Sequence, residues 1–308
     1  MEITVVRAGM LTTVQDLGRP GHRASGVPLS GAMDPIALRV ANLLVGNSEN
    51  AATLECTLLG PELVFSADTV VALGGAEFEG MAPWQPMVVQ AGGRIKLGAA
   101  RQGCRGYVAV AGGIEVPLLL GSRSTYLRGE FGGYQGRALR DGDVVRVPDV
   151  SRAVTDHWRI DARILPAYSP APTIRVVRGA QTEEFGGALF AAEFKILPQS
   201  DRMGIRLGGA RLARIGGAAD LVSSAVAPGT VQVPPDGQPI VLMADAQTIG
   251  GYPQAAHITS VDLPLVAQLR PGDTLRFREV TLEKAHELAR GRERALAILR
   301  EGLAQKLA

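Results

Sequence analysis

A loop near the start of this 308-residue chain carries the residue types that chemistry most often uses. Gln15, Asp16 and Arg19 form a polar cluster, and a stretch rich in glycine and proline then leads to Ser30 and Gly31. Glycine and proline fix unusual backbone angles, so such a loop holds a defined shape. A hydroxyl and a backbone N–H just before a helix also suit an anion. We therefore predict a binding site here, although a plain turn with a local salt bridge fits the same residues.

Two further segments place arginine beside small polar residues. Arg123 lies between two hydroxyls in the run Gly121–Tyr126, next to Ser124, and Arg202 lies in Ser200–Gly204. Arginine in such a setting suits a carboxylate or phosphate. Solvated turns explain both segments equally well.

A fourth candidate follows the apolar run Ile240–Met243. Asp245 and Gln247 come directly after this run and alternate toward one face. Polar residues at the end of a buried strand are well placed to line a pocket.

Composition excludes several classes of protein. The net charge is +2 without a concentrated basic run, which argues against nucleic-acid binding. Cys56 and Cys104 lack CxxC spacing, so neither a disulfide scaffold nor a metal site is expected. There is no P-loop and no lysine between two methionines. Because Met1 leads directly into Ile3–Val6 without a secretion signal, we expect a cytoplasmic protein.

Short apolar runs bounded by turn residues predict a mainly β fold of barrels or sandwiches. The runs are Ile3–Val6, Leu63–Phe65, Thr69–Leu73, Met87–Val89, Tyr107–Val110, Val144–Val147, Ile174–Val177, Ile240–Met243 and Leu275–Phe277. One helix is predicted from the N-cap Asp34 with Pro35 at its first position, ending near Gly46. A second helix from Thr281 has an apolar stripe, which we expect to pack back on the second lobe.

A weak internal repeat predicts two similar β lobes. The segment 139–147 resembles 269–277, and two shorter echoes occur in the same order. We predict a first lobe over residues 1–150, a linker over 151–172, a second lobe over 173–280 and a C-terminal helix over 281–308.

Taken together, the motifs resemble one known family. They are Thr13–Gly21, Ser30–Asp34, Asn42–Asn47, Leu54–Pro61, Val110–Pro117, Leu120–Tyr126, Ser200–Gly204, Val231–Pro239 and Gln247–Pro253. The chain resembles the carboxyltransferase-type family called allophanate hydrolase subunit 2, and the match covers about residues 1–280. That family includes the C-type subunit of 5-oxoprolinase, also known as the KipI antagonist, and the carboxyltransferase part of urea carboxylase.

The resemblance implies two cyclophilin-like β-barrel lobes and an enzyme subunit that is inactive alone. Together with a KipI-like protein and a lactam-utilisation-type protein, the B-type and A-type subunits of the enzyme, it would open the lactam of 5-oxoproline to L-glutamate. ATP would be used by the assembled complex, and no metal is expected. Lactam opening needs proton carriers and groups that hold an anion. We assign the first role to Asp16 and Asp245 and the second to Arg19, Arg123 and Arg202.

Two alternatives stay open. In the first alternative, the chain is the carboxyltransferase component of a biotin-dependent urea or amide carboxylase of the urea amidolyase type, and another chain supplies the biotin. In the second, it is a non-catalytic binder of a KipI-like regulator. One departure bears on all three readings. Ala246 stands where the family pattern has arginine, which removes a possible anion ligand.

Overall fold

The computed structural model describes residues 1–149, 160–216 and 221–307. The chain divides into two compact units. Unit 1 comprises Met1–Arg19, Ser30–Pro166 and Arg294–Ala308, and unit 2 comprises Pro20–Leu29 and Ala167–Glu293. Residues 151–159 of the predicted linker lie outside the described residues.

Unit 1 contains nine strands and one complete helix among its described residues. In chain order they are β1 (Glu2–Arg7), β2 (Thr12–Gln15), α1 (Pro35–Leu44), β3 (Thr53–Thr57), β4 (Glu62–Phe65), β5 (Thr69–Phe78), β6 (Pro86–Val89), β7 (Arg94–Lys96), β8 (Ala100–Val110) and β9 (Val144–Arg146). Short 3₁₀ turns occur in the chain at Arg23–Ser25, Leu127–Gly129, Ala162–Ile164 and Thr182–Phe185.

These nine strands form two sheets that share one apolar core. The first has the order β7-β4-β1-β9 and the second β2-β3-β8-β5-β6. Ile3 and Phe65 of the first sheet and Leu54 and Val108 of the second belong to the same buried cluster. Alternate residues of each strand therefore face this core, as the pleat requires.

Unit 2 holds a closed barrel and the remaining elements, the last of which continues into unit 1. They are β10 (Thr173–Arg178), α2 (Ala188–Ala191), β11 (Glu193–Ile196), β12 (Gly204–Gly209), β13 (Ser224–Ala225), β14 (Thr230–Gln232), β15 (Ile240–Leu242), β16 (Ile249–Gly250), β17 (Gln254–Ile258), α3 (Leu263–Ala267), β18 (Thr274–Glu279) and α4 (Leu282–Leu307). The barrel order is β10-β17-β14-β15-β12-β11-β18, and the parallel pair of β10 and β18 closes it. β13 and β16 form a separate two-stranded sheet.

The predicted fold class is confirmed: the chain is mainly β, with two β lobes, few helices and a C-terminal helix. Each of the nine apolar runs overlaps a strand. The closed barrel is the second lobe, whereas the strands of the first lobe are divided between two sheets.

The C-terminal helix packs differently from our expectation. Leu296, Leu299 and Leu303 of α4 are buried in a cluster of unit 1 that includes Leu43 of α1 and Tyr107 of β8. The prediction that the stripe packs on the second lobe is therefore wrong for its buried part. The stripe could not reveal which lobe it covers, because periodicity shows only that one face is apolar.

Candidate functional site

The carboxylate of Asp16 lies at the centre of a buried hydrogen-bond cluster in unit 1. Asp16 follows β2 directly and is 2% exposed. Its Oδ1 accepts hydrogen bonds from Gly18 N at 2.8 Å, Ser122 Oγ at 2.6 Å and Ser124 Oγ at 2.5 Å. Its Oδ2 accepts one from Arg123 N at 2.6 Å. Four neutral donors thus surround one buried carboxylate, which satisfies the usual requirement for burying charge.

The two serines also bond to the backbone and to each other. Ser124 Oγ accepts from Asp16 N at 3.0 Å, and Ser122 Oγ accepts from Ser124 N at 3.0 Å. Both serines are fully buried. The segment after β2 is therefore joined to residues 122–124 at several points. We call Asp16, Ser122, Arg123 and Ser124 together the Asp16 cluster. Ser124 was among the predicted site residues and Ser122 was not, although Ser122 stands in the same hydroxyl-rich run.

Arg19 is fully buried beside this cluster. Its Nη2 donates a short hydrogen bond to Ser124 O, and its Cζ lies 4.9 Å from the centre of the Phe131 ring. A Cβ on Gly132 would clash with the backbone oxygen of Ser124 and lie 2.9 Å from Arg19 Nη2, so this position needs glycine. A desolvated guanidinium over an aromatic face is held by cation–π attraction of roughly 2 kcal/mol. Phe131 was not predicted, because it lies far from Arg19 in sequence.

The loop that contains Ser30 and Gly31, which we call the Ser30 loop, packs against the segment that follows β2. Ser30 has a φ of 52° and Gly31 a φ of 83°, both in the left-handed region that favours glycine. A Cβ on Gly31 would lie 2.6 Å from Gly18 N, and Ala32 N donates to Asp16 O at 2.9 Å. Glycine at position 31 thus allows the two loops to meet.

Buried oxygen atoms of two side chains in this region have no hydrogen-bond partner among the described residues. They are Ser30 Oγ and Gln15 Oε1. Ser30 is 2% exposed and Gln15 0%, while Gln15 Nε2 donates to Thr125 O at 3.2 Å. A buried polar atom without a partner costs roughly 1–3 kcal/mol, so such atoms often await a ligand or a water.

A buried network fixes the far end of the Ser30 loop. Glu55 Oε2 accepts from Met33 N at 2.9 Å and from Tyr107 Oη at 2.7 Å, and Asp34 N donates to Tyr107 Oη at 2.8 Å. Burial, and then the charge of Glu55, raise the pKa of Tyr107 well above its usual range. The N-cap prediction is confirmed, since Asp34 Oδ1 accepts from Ala37 N at 2.9 Å. Glu55 and Tyr107 were missed, although a glutamate within an apolar strand was a usable signal.

Arg123 contributes its backbone to the cluster and its side chain elsewhere. Its N–H binds Asp16, as described, whereas its Nε donates to Val116 O at 3.2 Å. The residue is partly exposed. The side chain of Arg123 is therefore more accessible to an anion than that of the fully buried Arg19.

Unit 2 contains a second buried acidic residue, in a different setting. Arg202 Nε lies 2.9 Å from Asp245 Oδ2, and Arg202 Nη2 lies 3.1 Å from Oδ1. Their side chains are 6% and 5% exposed. Asp245 N also donates to Arg202 O at 2.9 Å. This is a two-point ion pair between planar groups, the geometry that arginine favours.

Gln247 and Ala246 follow this pair. Gln247 is exposed, and its Nε2 makes a long contact of 3.5 Å with Gln232 Oε1. Ala246 is 5% exposed and packs in an apolar cluster with Val226 and Leu242. The residue that replaces the expected arginine thus belongs to the packing of unit 2.

The predicted residues fall into two groups. Gln15, Asp16, Arg19, Ser30, Gly31, Arg123 and Ser124 lie in unit 1, and Arg202, Asp245 and Gln247 lie in unit 2. Within the described parts of the chain, no group of three or more His, Cys, Asp or Glu side chains could hold a metal ion. Within the same residues, none of the helices is both long enough and apolar enough to span a bilayer.

Comparison with known proteins gives consistent results. The sequence model of one family, described as carboxyltransferase domain, subdomain A and B, matches residues 25–279. The C-type subunit of 5-oxoprolinase from Escherichia coli is 41% identical over 95% of this chain and 96% of the relative. The protein of the same name from Haemophilus influenzae is 38% identical over 91% of this chain and 92% of its own length.

A solved structure extends the comparison to a larger protein. The crystal structure of the Kluyveromyces lactis urea carboxylase superposes with a TM-score of 0.89 and 32% identity. The match covers 98% of this chain but only 29% of that chain. The present chain is therefore similar to one part of a much longer polypeptide.

Proposed function

Because the chain belongs to the carboxyltransferase-domain family, we propose that it is the C-type subunit of an ATP-dependent 5-oxoprolinase. The observation that carries this proposal is the similarity to two proteins of that name over nearly the full length of both partners. Full-length similarity matters because it leaves no additional domain in those relatives to supply a different activity. The reaction would convert 5-oxoproline to L-glutamate in the cytoplasm.

The Asp16 cluster supplies groups that lactam opening requires. Breaking the amide bond places negative charge on the carbonyl oxygen and requires a proton on the leaving nitrogen. We assign proton transfer to Asp16, which Ser122 and Ser124 contact through their hydroxyls. Ser30 Oγ, buried and without a partner among the described residues, is a donor that a substrate oxygen would satisfy.

The arginines would hold the carboxylate of the substrate or an anionic adduct. Arg123 is the most accessible of the three, and its position beside the cluster favours this role. Arg202 and Asp245 already bind each other, so a substrate carboxylate would have to compete with Asp245 for the guanidinium. We assign Asp245 a second proton-carrying role.

ATP enters through the assembled complex. The chain has no P-loop, so we assign nucleotide binding to the two companion subunits, one of the lactam-utilisation type and one like KipI. We accordingly expect this chain to be inactive alone.

Reconstitution tests this proposal directly. The purified chain is combined with both companion subunits, 5-oxoproline and ATP, and glutamate and ADP are measured against time. We expect both products only when all three proteins are present. A complete and folded complex that forms no glutamate would refute the proposal.

The family description favours one alternative, a carboxyltransferase that acts on urea or another amide. The similarity to the K. lactis urea carboxylase supports it, and a separate chain would then bring the biotin. The two functions differ in their products. Incubation with a carboxylated biotin carrier and urea would give a carboxylated urea if the alternative holds, and glutamate would not form from 5-oxoproline.

A further inference from the structure

An exposed apolar groove on unit 1 adjoins the Asp16 cluster. We call it the leucine groove; it has a volume of about 550 Å³ and is lined by Leu118, Leu119, Val144, Phe131, Glu115 and Glu130, among others. Leu118 is 58% exposed, Leu119 42% and Val144 40%. Large apolar side chains grouped at the surface mark an interaction site more often than single ones do.

A partly open sheet edge forms one wall of this groove. β9 is the last strand of its sheet and pairs on one side with β1. Val5 N donates to Asp143 O at 2.8 Å and Val147 N to Met1 O at 3.0 Å, so the odd-numbered residues face β1. In an antiparallel pair the direction alternates, and the N–H and C=O of Val144 therefore point away from β1. An exposed edge with such groups is a template for another strand.

The contact of Glu115 confirms the outward direction. Glu115 N donates to Arg146 O at 2.9 Å on the side away from β1. This single bridge occupies one position of the edge, next to Val144. The position at Val144 itself carries no hydrogen bond within the described part of the chain.

Charged side chains flank the apolar wall, two of them acidic (Glu115 and Glu130) and one basic (Arg146). Glu115 and Glu130 are both exposed, and neither forms an ion pair among the described residues. The backbone around them is unusual, since Leu120 and Glu130 both have a φ of 52°. Strained backbone persists where surrounding structure and function maintain it.

We propose that the leucine groove binds an extended segment of a companion subunit, which adds a strand to the edge of β9. The main chain of that segment would bond to Val144, apolar side chains would cover Leu118 and Leu119, and a lysine or arginine would lie between Glu115 and Glu130. Edge addition with alternate side-chain pockets is a recurring mode of peptide recognition. A second copy of this chain is the competing occupant, and the titration below distinguishes it. The proposal rests on the proposed function for the existence of companion subunits.

Residues 118–123 of this chain connect the leucine groove to the Asp16 cluster. Leu119 and Ser122 exchange backbone hydrogen bonds of 2.9 and 3.2 Å, which close a tight turn with Leu120 and Gly121 at its tip and Leu119 at its base. Ser122 Oγ and Arg123 N at the base of this turn bind Asp16. A partner that covers Leu118 and Leu119 would therefore restrain the loop that positions Asp16.

Calorimetric titration with each purified companion subunit tests the groove. We expect Leu118→Asp to weaken binding by roughly tenfold or more, because a charge would then face the partner's apolar side chains. The combined Glu115→Lys and Glu130→Lys variant should weaken it as well. Ile298→Asp, at a 68% exposed apolar position, and Glu77→Lys, at an exposed glutamate on β5, are the matched controls and should bind as the wild type does.

Hydrogen exchange supplies a second measurement that needs no substitution. The Val144 amide should exchange several-fold more slowly in the complex than in the free chain. Binding of Leu118→Asp within twofold of the wild type, or unchanged exchange at Val144, would overturn the proposal. A wild-type chain that binds neither companion subunit, or a Leu118→Asp variant that only dissociates a homodimer, would overturn it too. A complex that behaves as expected but forms no glutamate would refute the proposed function and leave the groove assignment intact.

Discussion

Asp16 in unit 1 and Asp245 in unit 2 are both buried carboxylates, but different partners stabilise them. Asp16 accepts hydrogen bonds from two serine hydroxyls and two backbone amides, and Arg19 nearby donates to a carbonyl. Asp245 instead faces the guanidinium of Arg202 directly. Neutral donors fixed by the backbone thus stabilise the first charge, and a cationic side chain stabilises the second.

This difference separates the two roles that a buried aspartate can have. Removing a cation from an ion pair leaves a whole charge uncompensated, whereas removing one of four neutral donors leaves three in place. Substitutions in the Arg202–Asp245 pair of unit 2 should therefore mainly lower the stability of the fold. Substitutions in the Asp16 cluster of unit 1 should mainly lower enzymatic activity.

The largest effect is expected from Arg202→Met. The substitution leaves Asp245 buried without its cation, which should lower the free energy of unfolding by about 3–5 kcal/mol. Scanning calorimetry of the variant measures this loss as a lower melting temperature. The double variant Arg202→Met with Asp245→Leu should recover most of the loss, because two apolar side chains can replace a buried pair. If the single variant melts as the wild type does, the pair does not stabilise unit 2.

Asp16→Asn should act mainly on activity. An amide group must replace one carboxylate oxygen, so its N–H₂ would face either Gly18 N or Arg123 N, and both are donors. We expect a stability loss of about 1–3 kcal/mol and a fall in kcat of roughly 10²-fold or more in the reconstituted complex.

Asp34→Asn is the matched control for that prediction. Asp34 is a fully buried aspartate of the same unit, and asparagine caps a helix about as well as aspartate does. The control should keep its activity. A folded Asp16→Asn variant with wild-type turnover would exclude proton transfer by Asp16.

Ser30→Ala sharpens the comparison at smaller scale. The Ser30 hydroxyl is buried and has no partner among the described residues, so its removal should leave the melting temperature unchanged or raise it. If a substrate atom satisfies this hydroxyl, KM should rise by about two- to tenfold, the equivalent of one neutral hydrogen bond. Steady-state kinetics with 5-oxoproline measures it. A lower melting temperature with unchanged KM would assign Ser30 to structure instead.

The smallest effect concerns pH and the barrel of unit 2. Burial lowers the pKa of His257 from its ordinary value of 6.5, and its Nδ1 lies 3.2 Å from Thr230 Oγ1. The unfolded chain therefore takes up this proton at a higher pH than the folded chain does. Stability should fall as the pH drops below about 6.5 and stop falling below the folded pKa. His257→Gln should remove this slope in melting temperature, whereas the exposed His286→Gln should retain it.

The local features of the fold were the predictable ones. The apolar runs marked strands such as β1 and β10, and Asp34 with Pro35 marked the start of α1, because neighbours in sequence determine these signals. Short strands with mixed composition were missed, for example β7 and β16. Their pairing depends on partners distant in the chain, and a single sequence does not show those contacts.

The candidate site was predictable in its members but not in its connections. Asp16, Ser124 and Arg19 stand in recognisable polar segments, yet the hydrogen bonds that join them span more than 100 residues. The ion pair of Arg202 with Asp245 likewise joins two segments that sequence analysis had assigned separate roles. The residue types indicated the chemistry, and the fold determined which groups face each other.

The packing of Leu296, Leu299 and Leu303 in unit 1 has a consequence for the order of synthesis. A ribosome releases the nine strands of unit 1 first, yet the apolar surface that these leucines cover stays open until residue 303 has emerged. The barrel of unit 2 needs no residue beyond 293, so it can close while unit 1 is still incomplete. During translation the earlier half of the chain thus matures later than the half that follows it, and it exposes an apolar face to chaperones in the meantime.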